Sequence, residues 1–231
     1  MQRYAYLLGV LLLSPLFFVI FFRRKDLRVE MLVIGVLGGL VAITTAQYFL
    51  GKYWSPITLF NFKNSIEDFI FGFLLCSESA GIYSFIFSKH YGDIHLRNAI
   101  KANVFKILIT ILVTPTLFII LEQFTELNPI YNSIISIIIP LGIITLKKSY
   151  LIKVLIFTGL FILLYTITLY LIFNILFSGI VADWWNLNNI SGILLFGTPI
   201  EELIWFTLTG MFCSVSYKFV FDIKFIETKK V

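Results

Sequence analysis

Long apolar runs, each close to the length that crosses a lipid bilayer as a helix and each closed by a cluster of polar or charged residues, recur along the whole chain. They fall at about 4–22, 31–50, 66–88, 103–121, 130–146, 154–177 and 190–217. The pattern predicts seven membrane-spanning helices and an all-α integral membrane fold. Pro115 lies inside the fourth run, and Pro140 inside the short fifth one, where a kink is expected. The first run, Tyr4 to Phe22, lacks a small-residue cleavage site and ends on Arg23-Arg24-Lys25, so it is expected to remain as an uncleaved first span.

The connections between runs predict an orientation, because Lys and Arg collect on the cytoplasmic side of a membrane. Arg23, Arg24, Lys25 and Arg28 follow the first run; Lys89, Arg97, Lys101 and Lys106 follow the third; Lys147, Lys148 and Lys153 follow the fifth; Lys218, Lys224, Lys229 and Lys230 form the tail. The other connections keep Arg3, Lys52 and Lys63, with the acids Glu122, Glu126 and Asp183. The expected topology has the N-terminus outside and the C-terminus inside, with Lys101 and Lys106 reaching to the interface. A multi-pass protein of the cytoplasmic (cell) membrane follows.

Composition sharpens this. With 59% hydrophobic and 13% charged residues and a mean hydropathy of +0.94, the apolar side chains exceed what one soluble core holds, so the lipid bilayer is the expected surrounding. The net charge of +5 belongs to the flanks of the spans, which argues against nucleic acid as a partner. Cys76 and Cys213 lie inside apolar runs without a Cys-x-x-Cys pattern and read as packing residues.

Against this background two acidic pairs stand out. Gly197 to Phe206 reads Gly-Thr-Pro-Ile-Glu-Glu-Leu-Ile-Trp-Phe, and Asn64 to Phe69 reads Asn-Ser-Ile-Glu-Asp-Phe; each opens an apolar run. Runs three and seven point the same way in the expected topology, which brings Glu67, Asp68, Glu201 and Glu202 to one membrane face. A Trp-rich connection precedes each pair, Tyr53-Trp54 and Trp184-Trp185, so a degenerate internal repeat is expected, with halves of about 1–100 and 101–231 within one polytopic domain. Helix capping accounts for part of the pattern. Thr198 to Glu201 has the form of a capping box with Pro199 at the first helical position, and Asn64 offers a cap with Glu67 three residues on. The second acid of each pair, Asp68 or Glu202, is not needed for capping and is costly beside an apolar helix.

Two further residues are candidates. Trp205 lies one turn beyond the acids of the seventh run, either as part of an interfacial aromatic belt or as a π face for a cation. Glu78 lies about three turns below Glu67 near mid-membrane, either as a functional group or as a protonated acid bonded to a neighbouring helix, with Asn174 and the Thr residues of the sixth run as expected partners. Several chemistries fall away. Both histidines, His90 and His95, sit on the opposite side from the acids, so no metal site of Glu and His is expected and intramembrane proteolysis of the Glu-Glu type is disfavoured. A membrane prenyltransferase would need Asp on successive turns, where Gly72 stands, and no mid-membrane Lys in run seven is available to a retinal Schiff base.

Ile66-Glu67-Asp68-Phe69 and Pro199-Ile200-Glu201-Glu202-Leu203, each opening a membrane helix in a two-repeat chain, resemble the membrane lycopene cyclase domain of heterodimeric bacterial cyclases and their fused archaeal and fungal relatives. The Pro-x-Glu-Glu pattern is complete in the second half, whereas the first has Ser65 in place of Pro. The resemblance implies cyclisation of the ψ end of lycopene to an ionone ring without net redox change. The catalytic set implied is Glu67, Asp68, Glu201 and Glu202. A carboxylic acid would protonate the terminal double bond, the carbocation would close on the neighbouring alkene, and a carboxylate would remove a proton. No metal or other cofactor is required by these steps. Trp205 and Phe69 are expected substrate contacts, the partner being a carotenoid or other long isoprenoid, and Glu78 is added to them from its depth in the membrane and not from the resemblance. The alternatives are a non-catalytic isoprenoid-binding protein, a proton- or cation-coupled transporter using Glu78, and, as lesser ones, a carotenoid hydratase and a membrane prenyltransferase, for which Asn64 and Asp68 would begin the acidic series.

Overall fold

A computed structural model of the protein describes residues 2–91 and 103–226; His95, Arg97, Lys101, Lys229 and Lys230 lie outside them. The fold is all-α and membrane-type. Among the described residues six helical stretches are long and apolar enough to cross a bilayer. The chain forms α1 (Ala5–Leu11), α2 (Ser14–Arg23), α3 (Arg28–Phe49), α4 (Ile66–Ile86), α5 (Val104–Phe124), α6 (Pro129–Lys147), α7 (Ile152–Leu176), the short α8 (Ile180–Trp184) and α9 (Ile200–Val220). The fourth expected span corresponds to α5, whose described apolar stretch, Thr110–Phe124, is shorter than a full crossing. Both α5 and α6 run on through their prolines.

The first expected span is broken into α1 and α2 just before Pro15, which has no amide hydrogen to give back to Leu11. Side chains satisfy the backbone exposed there. Ser14 Oγ donates to the Leu11 carbonyl at 2.8 Å, Tyr165 Oη donates to the Leu13 carbonyl at 3.2 Å, and the Phe17 amide donates to Glu78 Oε1 at 3.2 Å. A break at membrane depth is tolerated only on such terms.

The central helices α4 and α9 pack on each other, α3 lies along α4, and α6 and α7 flank α9. The α3–α4 approach depends on glycine: a Cβ on Gly72 would stand 2.6 Å from the Gly38 carbonyl oxygen, and one on Gly38 would stand 2.3 Å from Cys76 Sγ.

At one end of the bundle the connectors lock together. Ser55 N donates to the Trp184 carbonyl at 2.7 Å, Asn186 N to the Tyr53 carbonyl at 2.8 Å, and Asn128 Nδ2 to the Lys52 carbonyl at 3.0 Å. The same end carries a hairpin of β2 (Leu194–Leu195) and β3 (Thr198–Pro199), closed by Phe196 and Gly197 at φ 53° and 76°; a β1 strand, His90–Tyr91, pairs with β4 (Phe225–Ile226) at the opposite end. The hairpin takes up residues expected in the seventh span, so α9 starts at Ile200 and not near 190.

The opposite end gathers the basic residues. Lys148 pairs with Asp222 at 2.6 Å and Lys106 bonds the same carboxylate. Burial works against the ionised form of Asp222, but the two lysines hold its carboxyl below the usual range. Lys106 therefore ends in an ion pair and not simply at the interface. Lys218 also departs from the tail charge expected: it is fully buried, pairs with Glu30 at 2.7 Å and donates to the carbonyls of Ala80 and Ser214. Its place on the last turn of α9 faces α3 and α4, where a partner acid is the condition for burying a charge.

Candidate active site

Because α4 begins at Ile66 and α9 at Ile200, the two acidic pairs occupy the first turns of adjacent central helices. Successive helical residues point about 100° apart, so each pair divides its tasks. The first acid reaches back to its own connector. Glu67 Oε1 accepts from the Leu59 amide at 2.6 Å, and Glu201 Oε1 accepts from the Ser191 amide at 2.9 Å and from Tyr131 Oη at 2.8 Å. The second acid turns to a cavity. Asp68 Oδ1 accepts from Tyr6 Oη at 2.6 Å, while Glu202 Oε1 accepts from Tyr170 Oη at 2.7 Å and Glu202 Oε2 from Tyr53 Oη.

This cavity of about 150 Å³ lies among α1, α3, α4, α7 and α9, beneath the Tyr53-Trp54 and Trp184-Trp185 connectors. Asp68 and Glu202 are the charged residues on its wall, and all four tryptophans of the chain line it. Trp54 meets Trp185 with ring centroids 5.5 Å apart, and Trp205 stacks on Phe71 at 6.1 Å with an interplanar angle of 12°. Burial, with the charge of Glu202 beside it, pushes the Tyr53 hydroxyl well above its usual value, which keeps it a neutral donor. A carboxyl pair set in an otherwise apolar, aromatic wall can give a proton to a carbon–carbon double bond and take one back, while the rings stabilise the positive charge between those steps.

The capping expectations need correction. Ser65, not Asn64, caps α4, and its box partner is Asp68, not Glu67: the Ser65 amide and hydroxyl both donate to Asp68 Oδ2 at 2.8 Å, and the Asp68 amide returns to Ser65 Oγ. Asp68 is thus both cap and cavity wall. In α9 the residue before the first turn is Pro199, no side chain caps it, and the Thr198 hydroxyl has no partner; Glu201 is drawn to the Ser191 loop instead. Glu202 takes no part in capping and is held by the hydroxyls of Tyr53 and Tyr170.

The remaining candidates divide. Trp205 lines the cavity. Phe69 lies outside the lining, stacked on Phe73 and laid over Gly39 of α3. Glu78 also lies outside it, fully buried and bonded to the amide of Phe17, so the expected Asn174 contact is not made; Asn174 Nδ2 donates to the Gly197 carbonyl at 3.2 Å, at the hairpin. The tyrosines were not read from the sequence. Their signal is chemical: Tyr6 and Tyr170 stand inside apolar runs, where a hydroxyl must find an acceptor. Among the described residues no group of three His, Cys, Asp or Glu is placed to hold a metal ion.

A helical membrane bundle with paired acids on an aromatic internal cavity defines the class. Within it, residues 128–220, from the start of α6 to the end of α9, match the family model described as lycopene cyclase. Tyr131, Tyr170, Glu201, Glu202 and Trp205 fall inside the matched residues, and Tyr6, Tyr53, Glu67 and Asp68 before them. Neither the curated proteins nor the solved structures gave a match.

Proposed function

We propose that the protein is a carotenoid cyclase of the lycopene type, an intramolecular lyase or isomerase of the cell membrane that closes a ψ end to an ionone ring by acid–base chemistry. The observation that carries this reading is the placement of Asp68 and Glu202 on one apolar cavity, each held by tyrosine hydroxyls. One of the two, as the carboxylic acid, gives its proton to the terminal alkene. The resulting cation is captured by the neighbouring double bond, forming the ring carbon–carbon bond, and the other, as carboxylate, removes a proton from the ring. Proton count and oxidation state are unchanged overall. The two central helices supply one acid each, which fits a chain of two related halves meeting at α4 and α9.

Expression in a lycopene-accumulating host tests the reading by pigment chromatography: monocyclic or bicyclic carotenoids are expected from the wild type. Glu202→Gln and Asp68→Asn are each expected to lower turnover by about 100-fold or more, the range of a lost acid or base. Unchanged lycopene despite good membrane expression of the wild type would overturn it.

A further inference from the structure

A second cavity, of about 190 Å³, lies between α3, α4, α5, α6 and α9. It shares Ala42, Thr45, Phe49 and Trp205 with the cavity that holds the acids, so the two adjoin at these residues. From there it follows α9 past Thr209 to Ser216. At 1.5 Å per residue, Ser216 is about 21 Å along the helix from Glu202.

The chemistry of this second wall is one-sided. Among the described residues it carries no charged one, and the hydroxyls of Thr110, Ser133, Ser136 and Ser216 are turned back to carbonyls of their own helices. Nothing there recognises a phosphate, a sugar or a headgroup. A slender neutral hydrocarbon is the ligand such a wall accepts. The first cavity also poses a requirement. If one end of a linear polyene sits at Asp68 and Glu202, the rest of the chain must leave, and a space of about 150 Å³ does not enclose it. The adjoining apolar space is where the wall is continuous.

Resting on the cyclase reading of the first cavity, we propose that the second cavity is the site for the tail of the linear polyene substrate, with Trp205 as the divide between the reacting end and the tail. Recognition is then by length and slenderness of the chain, since no polar group marks the tail.

The test fills the second cavity and leaves the first alone. The hydroxyls of Thr209 and Thr114 both line it and have no hydrogen-bond partner, so Thr209→Phe and Thr114→Phe remove no bond while occupying the space. With the full chain in detergent, KM for lycopene is expected to rise roughly tenfold or more in each variant. Kinetics with a shortened acyclic analogue, bearing the same reacting end but ending before Trp205, are expected to be unchanged. Binding is followed separately, because the chain's tryptophans surround the first cavity and a bound polyene quenches them; quenching by lycopene is expected to weaken in the variants. A wild type that cyclises lycopene, with variants that keep wild-type KM and quenching, would overturn the tail site alone. A wild type that is quenched by lycopene but forms no ring, with quenching lost in the variants, would remove the cyclase reading and leave the tail site. Absence of quenching in the wild type would overturn it directly.

Discussion

Adjacent carboxylates in the first turn of a membrane helix look equivalent in a sequence and are not equivalent in the fold. Glu67 and Glu201 hold connectors, whereas Asp68 and Glu202 face the cavity. The pairs themselves were legible, because four acids at two apolar helix starts have no ordinary packing role. Which member of each pair turns inward was not, since that depends on helix rotation set by distant packing. The tyrosines that hold the inner acids come from three separate segments and look like ordinary aromatic residues in each. Tyr53 gives a pH test. Its hydroxyl is raised above its ordinary value of 10.0 in the folded protein, so its contribution is fully present below that value. As pH rises beyond about 10 the unfolded chain ionises first, and stability falls. Thermal melts of Tyr53→Phe are expected to show a shallower alkaline loss than wild type. Glu78 gives a second test, on structure. Glu78→Gln keeps an acceptor for the Phe17 amide and is expected to fold and turn over normally. Glu78→Leu leaves that buried amide bare, at a cost of about 1–3 kcal/mol in denaturant titration. A pH-dependent ion flux abolished by Glu78→Gln would instead restore the transport alternative.

At the scale of elements, span positions were readable from apolar length alone, and most helix limits lie within a few residues of those expected. The two main departures, the break in the first span and the late start of the last, have different causes. The break between α1 and α2 exists because Ser14, Tyr165 and Glu78 satisfy the freed groups, and only Pro15 signalled it locally. The late start of α9 reflects a hairpin whose turn places Phe196 and Gly197 at positive φ. The two helix starts also differ in a way the paired motifs hide: α4 has a closed capping box and α9 has none. Ser65→Ala is therefore expected to cost about 1 kcal/mol of stability. It should also reduce turnover, because Asp68 loses one of the donors that fix it. Thr198→Ala, which removes a hydroxyl without a partner, is expected to leave both nearly unchanged. Equal losses in the two variants, measured by unfolding and product yield, would show that α9 is capped after all.

The whole molecule separates its chemistry by end. The connectors, the hairpin and the cavity acids gather where Asn128 meets Lys52 and Ser55 meets Trp184. The ion pairs Lys148–Asp222 and Arg24–Asp26 lie at the other end, with Lys218 buried against Glu30 nearby. A bilayer gives this polarity a direction. Clusters of Lys and Arg resist translocation, so the end with Arg23, Arg24, Lys25, Lys147 and Lys148 is expected in the cytoplasm. The burial of Lys218 removes one charge from that count without changing its sign. The cavity acids are then nearest the outer face, beneath the paired tryptophan connectors. Ser55 and Ser149 lie in connectors at opposite ends. In a background with Cys76→Ser and Cys213→Ser, Ser55→Cys is expected to react with a membrane-impermeant maleimide on intact cells, and Ser149→Cys only after permeabilisation. The reverse pattern would place the acids at the cytoplasmic face and would mean that the basic clusters do not set the orientation of this chain.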